Sequence, residues 1–136
     1  MRDIKFRGLE KKTKMFVFGW LIGEEKNRYI RDEYTSILVD PETVGQFTGL
    51  KDKNKKRIYE GDIAVTDTDV IYDELKLKYA YTGEVMIIAS RGVCIKNPMC
   101  YDYLSGETYR LKMYKPISAY RTKIIGNIHQ NPEILL

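Results

Sequence analysis

The stretch that decides the fold runs Val44-Gly-Gln-Phe-Thr-Gly-Leu-Lys-Asp-Lys-Asn-Lys-Lys-Arg-Ile-Tyr-Glu-Gly-Asp-Ile63. Its first half contains strand-forming residues and predicts a strand that ends near Leu50. The segment Lys51–Arg57 follows, with five cations and one anion. Asp52 and Asn54 within it tolerate left-handed turn conformations and bond their own backbone. We therefore predict a solvated, basic hairpin tip at Lys51–Arg57.

The sequence predicts a second reversal of chain direction shortly after the hairpin tip. Ile58 and Tyr59 resume apolar character, and Gly61-Asp62 predicts a tight turn into a strand that begins at Ile63. A carboxylate that directly follows a turn glycine can accept backbone N–H groups that the turn leaves unpaired. Asp62 is therefore predicted to be structural.

Short strands are predicted along the rest of the chain. Ile4 and Phe6 alternate with polar residues, and the apolar run Met15–Ile22 is expected to pair with them as a first hairpin. Further strands are expected at Ser36–Asp40, Gly83–Ala89, Val93–Ile95, Tyr109–Met113 and Lys123–Ile128. At least seven short strands with little helix indicate a mainly β protein.

Two segments favour short helical structure. Val70–Lys78 carries apolar residues at helical spacing, which predicts a helical turn, although a strand remains an alternative. Near the end, Asn131 and Pro132 suit the N-cap and the first position of a short terminal helix.

Composition indicates one compact globular domain. The 136 residues are 43% hydrophobic and 31% charged, which excludes a disordered chain. No apolar stretch approaches the roughly 20 residues that cross a bilayer, and the N-terminus does not resemble a secretory signal. A cytoplasmic location without membrane contact is therefore expected.

Three blocks of the chain resemble the YopX family of bacteriophage and prophage proteins. They are the start Met1–Arg7, the central Thr48–Ile63 and the end Ile124–Leu135. The resemblance implies a single YopX-like domain over residues 1–136, with a small barrel-like β core, short helical segments and a phage origin. The resemblance does not supply an activity. Lys55 stands where the family usually has glycine, so either the turn changes type or Asn54 takes the left-handed position.

The residues most often used in metal and nucleophilic sites are sparse. Cys94 and Cys100 have a spacing that suits neither a zinc site nor a redox motif, and we expect two reduced, partly buried thiols. His129 is the one histidine, and we expect a strand residue with a hydrogen-bonded ring rather than a catalytic base. No catalytic residue, metal site or cofactor is predicted.

Charge is the feature that suggests a function. The Lys51–Arg57 segment alone carries a charge of +4, equal to the net charge of the chain. A second basic stretch, Tyr109–Lys123, contains five cations, no acid and interleaved tyrosines. Phosphates need cations, and unstacked bases need flat rings. The candidate contacts for an anion or a nucleic acid are Lys51, Lys53, Lys55, Lys56, Arg57, Arg110, Lys112, Arg121 and Lys123. A solvated face or a protein-contact surface is the competing interpretation.

Acidic residues cluster between the two basic stretches. The segment from Ile58 to Leu75 contains six carboxylates and no cation. We therefore expect a surface on which the positive and negative charges are separated. Asp67, Asp69, Asp73 and Glu74 could offer oxygen ligands to Mg²⁺ or Ca²⁺, although the spacing differs from the twelve-residue calcium loop. A solvated acidic loop is the simpler interpretation.

Two classes of function follow. The first is a non-enzymatic accessory protein of a phage or prophage that binds an unknown host or phage protein, or nucleic acid, in the bacterial cell; self-association stays open. The alternative is a metal-dependent phosphodiester hydrolase that uses the carboxylates from Asp67 to Glu74.

Overall fold

The computed structural model describes residues 5–136, which form twelve β-strands and three short 3₁₀ helices. Two compact units divide the chain, Met1–Phe47 and Thr48–Leu136. The mainly β prediction is confirmed. No helix in the described residues is long and apolar enough to cross a membrane. The single-domain organisation stays a prediction.

The first unit is an antiparallel sheet. Its strands are β1 (Phe6–Leu9), β2 (Phe16–Glu24), β3 (Asn27–Arg31), β4 (Ser36–Val39) and the start of β5 (Gly45–Lys51), with a 3₁₀ helix at Pro41–Thr43. Strand β1 pairs with β2 and with β5, and β2, β3 and β4 follow as neighbours. Leu9, Ile30 and Val39 are buried. The predicted hairpin between the first strand and the apolar run is confirmed; the part at Met1–Ile4 lies outside the described residues.

The second unit contains the end of β5 and seven further strands. These are β6 (Arg57–Tyr59), β7 (Asp62–Tyr72), β8 (Leu75–Ile88), β9 (Gly92–Asp102), β10 (Thr108–Arg110), β11 (Tyr114–Pro116) and β12 (Thr122–Asn127), with 3₁₀ helices at Ala119–Arg121 and Pro132–Leu135. The antiparallel order is β10-β9-β8-β7-β12, and β11 also pairs with β9. The core consists of Ile58, Ala64, Val85, Ile95 and Ile124. No pairing among the described strands closes a barrel, so the barrel-like core stays a prediction.

Strands β7 and β8 extend past their neighbours as a two-stranded ribbon, Asp69–Lys78. Pairing of β12 with β7 stops at Thr66, and pairing of β9 with β8 stops at Tyr79. At the tip, Asp73 and Glu74 have φ of 48° and 66°. Two consecutive left-handed residues form a tight hairpin turn rather than a helix. The helical turn predicted for Val70–Lys78 is therefore wrong, and the strand alternative is confirmed.

The basic hairpin tip between β5 and β6 is the three-residue loop 53–55, which Asp52 and Lys56 close. The N–H of Asp52 donates to the carbonyl of Lys56 (2.8 Å), and the N–H of Lys55 donates to the carbonyl of Asp52 (3.0 Å). Lys55 has φ of 67°. This loop type places its third residue in the left-handed region, where glycine is preferred. Lys55 itself, and not Asn54, takes the conformation that the family's glycine would take.

Asp52 anchors that loop. Its side chain is buried, and Oδ1 accepts the N–H groups of Asn54 and Lys56 at 2.9 Å each, while Oδ2 accepts the N–H of Ile124 at 3.0 Å. The N–H of Lys53 also donates to the carbonyl of Thr122 (2.9 Å). Burial by itself raises the pKa of Asp52, but the backbone donors at Ile124, Lys56 and Asn54 outweigh it and hold the pKa below its usual value. The loop is thereby fixed against β12.

The turn at Gly61-Asp62 has the predicted structure. Gly61 has φ of 88°, a conformation that side-chain-bearing residues rarely adopt. Asp62 is buried, and its Oδ2 accepts the N–H of Tyr59 at 2.8 Å. The structural role predicted for Asp62 is confirmed.

The chain after β12 differs from two predictions. Asn127 Oδ1 accepts the N–H of His129 (3.1 Å) and of Gln130 (2.9 Å), so the strand ends and His129 lies in a turn rather than in a strand. Pro132 opens the terminal 3₁₀ helix as predicted. Asn131 makes no side-chain capping bond there, because its Oδ1 accepts the N–H of Asn127 (3.2 Å). Asn131 therefore occupies the predicted N-cap position, but it does not form the expected side-chain capping bond.

The two cysteines are free, as predicted. Cys94 and Cys100 are both buried, more completely than the partial burial expected.

We expect Asp52→Ala to lower the free energy of unfolding by about 3 kcal/mol, because three backbone N–H groups lose a charged acceptor. Since folding lowers the pKa of Asp52, its stabilisation is present above about pH 4 and is lost as the pH falls through the folded-state pKa. Urea unfolding at neutral and acid pH measures both effects. The control is Asp32→Ala, whose carboxylate accepts the N–H groups of Tyr34 and Thr35, two and three residues further along the chain. Equal losses in the two variants would contradict the anchoring role.

We expect Lys55→Gly to raise the free energy of unfolding by about 0.5 kcal/mol. Relief of the left-handed conformation gains about 1 kcal/mol, and the greater freedom of glycine in the unfolded chain offsets part of it. Lys55→Ala keeps the left-handed penalty and should melt below the glycine variant. The prediction fails if alanine is the more stabilising of the two.

Candidate functional site

Tyr120 is the exposed aromatic residue around which the predicted cations gather. It lies in the 3₁₀ helix Ala119–Arg121, which directly precedes β12. The N–H of Arg121 and the hydroxyl of Thr122 both donate to the carbonyl of Ser118, at 2.9 and 2.8 Å. The turn is thus held tightly, while the Tyr120 side chain is 77% exposed.

Tyr120 contributes to an open depression of about 440 Å³. The lining residues are Lys53, Asp67, Asp69, Lys76, Lys78, Tyr120 and Arg121. Asp69 Oδ2 accepts a hydrogen bond from Arg121 Nη2 at 3.0 Å and lies 3.6 Å from Lys76 Nζ. The bonded Arg121 guanidinium, with help from Lys76, holds the pKa of Asp69 below its usual value. Two cations therefore offset the Asp69 charge.

A second depression, of about 380 Å³, also includes Tyr120. It is lined by Lys51, Asp52, Lys53, Lys55, Ala119 and Tyr120. The Asp52 carboxylate is already occupied by backbone N–H groups. The two depressions together present six cations and three carboxylates around one exposed ring. We call Tyr120 and these two depressions the Tyr120 surface.

The structure brings together only part of the predicted basic set. Lys51 at the end of β5 and the loop residues Lys53 and Lys55 line the Tyr120 surface together with Arg121. Three others line neither depression: Lys56 and Lys123, which are exposed, and Arg57, which is half-buried in β6.

Arg110 and Lys112 lie elsewhere. Arg110 is on β10, at the opposite edge of the sheet from β12, and donates to the carbonyls of Asn97 (3.0 Å) and Leu135 (3.1 Å). Lys112 is exposed directly after β10. Four strand spacings, roughly 19 Å along the sheet, separate β10 from β12. These two cations do not join the Tyr120 surface.

The acidic residues do not assemble into a metal site. Asp67 and Asp69 line the same depression, but Asp73 and Glu74 form the ribbon tip, at least four residues beyond Asp69 and roughly 13 Å away along the strand. The described residues contain no group of three or more side chains that could hold a metal ion. Because Asp69 pairs with Arg121, the expectation of a surface divided by sign is also wrong here.

Lys76 and Lys78 belong to the site, although the sequence analysis did not single them out. They alternate with Leu75 and Leu77, a period-2 pattern that indicates a strand with its lysines on one face. Because this segment was predicted as a helical turn, the strand pattern of its lysines was not recognised.

Comparisons with known proteins place the chain in a family without supplying an activity. No curated protein matches. A solved structure, protein EF1440 from Enterococcus faecalis, is similar at 21% sequence identity with a TM-score of 0.49, over 100% of both chains. The family model described as YopX protein matches residues 5–136. The match covers nearly the whole chain, and the chain therefore belongs to the YopX family.

Proposed function

We propose that this YopX-family chain is a non-enzymatic accessory protein of a phage or prophage, that it acts in the cytoplasm of the bacterial host, and that it binds nucleic acid at the Tyr120 surface. The observation that carries the proposal is the exposed Tyr120 ring between two depressions, each supplied with cations. Cations attract phosphates, and an exposed ring offers a base a face on which to stack.

Hydrogen bonds and an ion pair fix the positions of the cations at this surface. Asp52 fixes the loop that carries Lys53 and Lys55, and the Asp69 ion pair orients Arg121 on the other side of the ring. The pair is half-buried at the surface, where ion pairs generally contribute little to stability. Its effect is to hold the guanidinium at the wall of the depression.

Lys55 supports the same proposal. A non-glycine residue in the left-handed region costs about 1 kcal/mol, and strained backbone is concentrated at functional sites. Here the strained position holds a cation that lines the second depression. Glycine would serve the loop better, so the side chain of Lys55 is the part that a ligand would use.

A second candidate function is protein binding at the ribbon tip. Ile71, Tyr72 and Leu75 are large apolar residues that the ribbon leaves exposed beyond its neighbouring strands. Exposed apolar groups of this kind mark interaction sites. The Asp73 and Glu74 carboxylates between them favour a basic protein partner over a nucleic acid.

The main test is oligonucleotide binding by fluorescence anisotropy at two salt concentrations, with single-stranded and duplex probes. We expect the triple variant Lys51→Ser, Lys53→Ser, Lys55→Ser to lower affinity about tenfold. The slope of log affinity against log salt concentration should fall by up to about 2, at roughly 0.7 per phosphate contact on a single strand.

Asp67→Asn should act in the opposite direction and tighten binding, because it removes a negative charge from the depression.

The matched control is Lys11→Ser, Lys12→Ser, Lys26→Ser, which makes the same charge change at exposed positions of the first unit. Its affinity should stay within about twofold of the parent protein. Absence of salt-dependent binding by the parent protein to any probe would refute the proposal. Equal losses in both triple variants would also refute a specific site, since net charge alone would explain them.

The ribbon candidate is tested by affinity capture from phage-infected cells with the parent protein and with Ile71→Ser, Leu75→Ser. We expect a basic protein that the parent captures and the variant does not, while oligonucleotide affinity stays unchanged in the variant. Identical captured proteins from both baits would exclude the tip as a docking site.

A further inference from the structure

We propose that the Tyr120 surface continues across the outer face of the sheet to a second aromatic site, Tyr101 and Tyr103, and that the two sites together bind one single strand of nucleic acid. The inference rests on the proposed function and extends it, because it names single-stranded rather than duplex nucleic acid as the ligand. We call Tyr101 and Tyr103 the tyrosine pair.

Strand register places the two sites on one face. Asp67 on β7 is opposite Ala80 on β8, and Ala80 is opposite Tyr101 on β9. Residues directly opposite one another in antiparallel strands have side chains on the same face of the sheet. Asp67 lines the first depression. The tyrosine pair is therefore on the same face as that depression, two strands further along.

Lys78 connects the two sites by direct contacts. It lines the first depression, and its Nζ lies 4.8 Å from the centre of the Tyr103 ring. The N–H of Tyr103 donates to the carbonyl of Lys78 (3.1 Å). Tyr103 meets Tyr101 edge to face, with ring centres 4.9 Å apart and an interplanar angle of 89°. The Lys78 ammonium group thus lies between the first depression and the tyrosine pair. There it could bind the phosphate that links two bases, one at each aromatic site.

Both rings are accessible at the surface. Tyr101 is 38% exposed and Tyr103 is 49% exposed, whereas Ala80 between β7 and β9 is small and buried. Neighbouring side chains cover the Ala80 methyl group, so a strand that crosses β8 would contact those side chains rather than Ala80 itself. The sheet face therefore offers rings at both ends and cations between them.

The distance favours a single strand. Three strand spacings, roughly 14 Å, separate β12 beside Tyr120 from β9 with the tyrosine pair. At the roughly 3.4 Å per nucleotide of a stacked strand this span corresponds to about four steps, and an unstacked, more extended strand covers it in fewer. Bases can reach rings at both ends only when they are unstacked from a complementary strand, which a duplex prevents.

The test compares the lengths of oligonucleotides bound by the full chain. The parent protein should bind an oligothymidylate of about ten nucleotides at least tenfold more tightly than one of about three. Tyr101→Ala, Tyr103→Ala should lower affinity for the longer oligonucleotide about tenfold and leave the shorter one unchanged. Tyr120→Ala should weaken both.

Tyr101→Phe, Tyr103→Phe retains the rings and should restore binding of the longer oligonucleotide, which separates stacking from loss of structure. Tyr34→Ala, at an exposed position of the first unit, is the matched control and should bind as the parent does. If the parent binds both lengths equally, or if the tyrosine-pair variant binds the longer oligonucleotide normally, this inference fails while binding at Tyr120 stands. If the parent binds duplex as tightly as single strand, it fails as well. If the parent binds no oligonucleotide, the proposed function itself fails.

Discussion

The Asp52 carboxylate is the constraint on which the candidate site depends. One oxygen closes a strained three-residue loop by accepting two local N–H groups, and the other accepts the N–H of Ile124, 72 residues further along the chain. A buried carboxylate is stable only when such donors surround it. The same contacts position Lys53 and Lys55 beside Tyr120. The buried Asp52 carboxylate therefore fixes where these two exposed ammonium groups lie.

Around that anchor the surface combines features that stability alone does not require. The left-handed Lys55 costs backbone energy, and the half-buried Asp69–Arg121 pair at the surface adds little to the free energy of folding. Tyr120 leaves most of its ring in water. Each of these features is common in proteins. Their location at one place on the second unit is what favours a binding surface there.

Local sequence signals predicted much of the fold. The turn at Gly61-Asp62 and the hairpin at Lys51–Arg57 followed from residues whose backbone preferences act over a few positions. The helical interpretation of Val70–Lys78 failed because the apolar spacing there suits a helix and a strand about equally. Cross-strand pairing over the length of β7 and β8 decided between them. His129 was misplaced because the Asn127 side chain ends β12 earlier than the apolar pattern indicates.

The sequence by itself determined a mainly β fold with a basic hairpin tip, because turn chemistry and strand periodicity are local properties, and its resemblance to known sequences indicated the YopX family. Only the tertiary structure decided which charges meet. Arg121 joins the loop lysines while Arg110, from the same basic stretch, lies across the sheet, and Asp69 is paired rather than free for a metal ion. Strand order brings together residues far apart in the chain, and no local preference encodes that order.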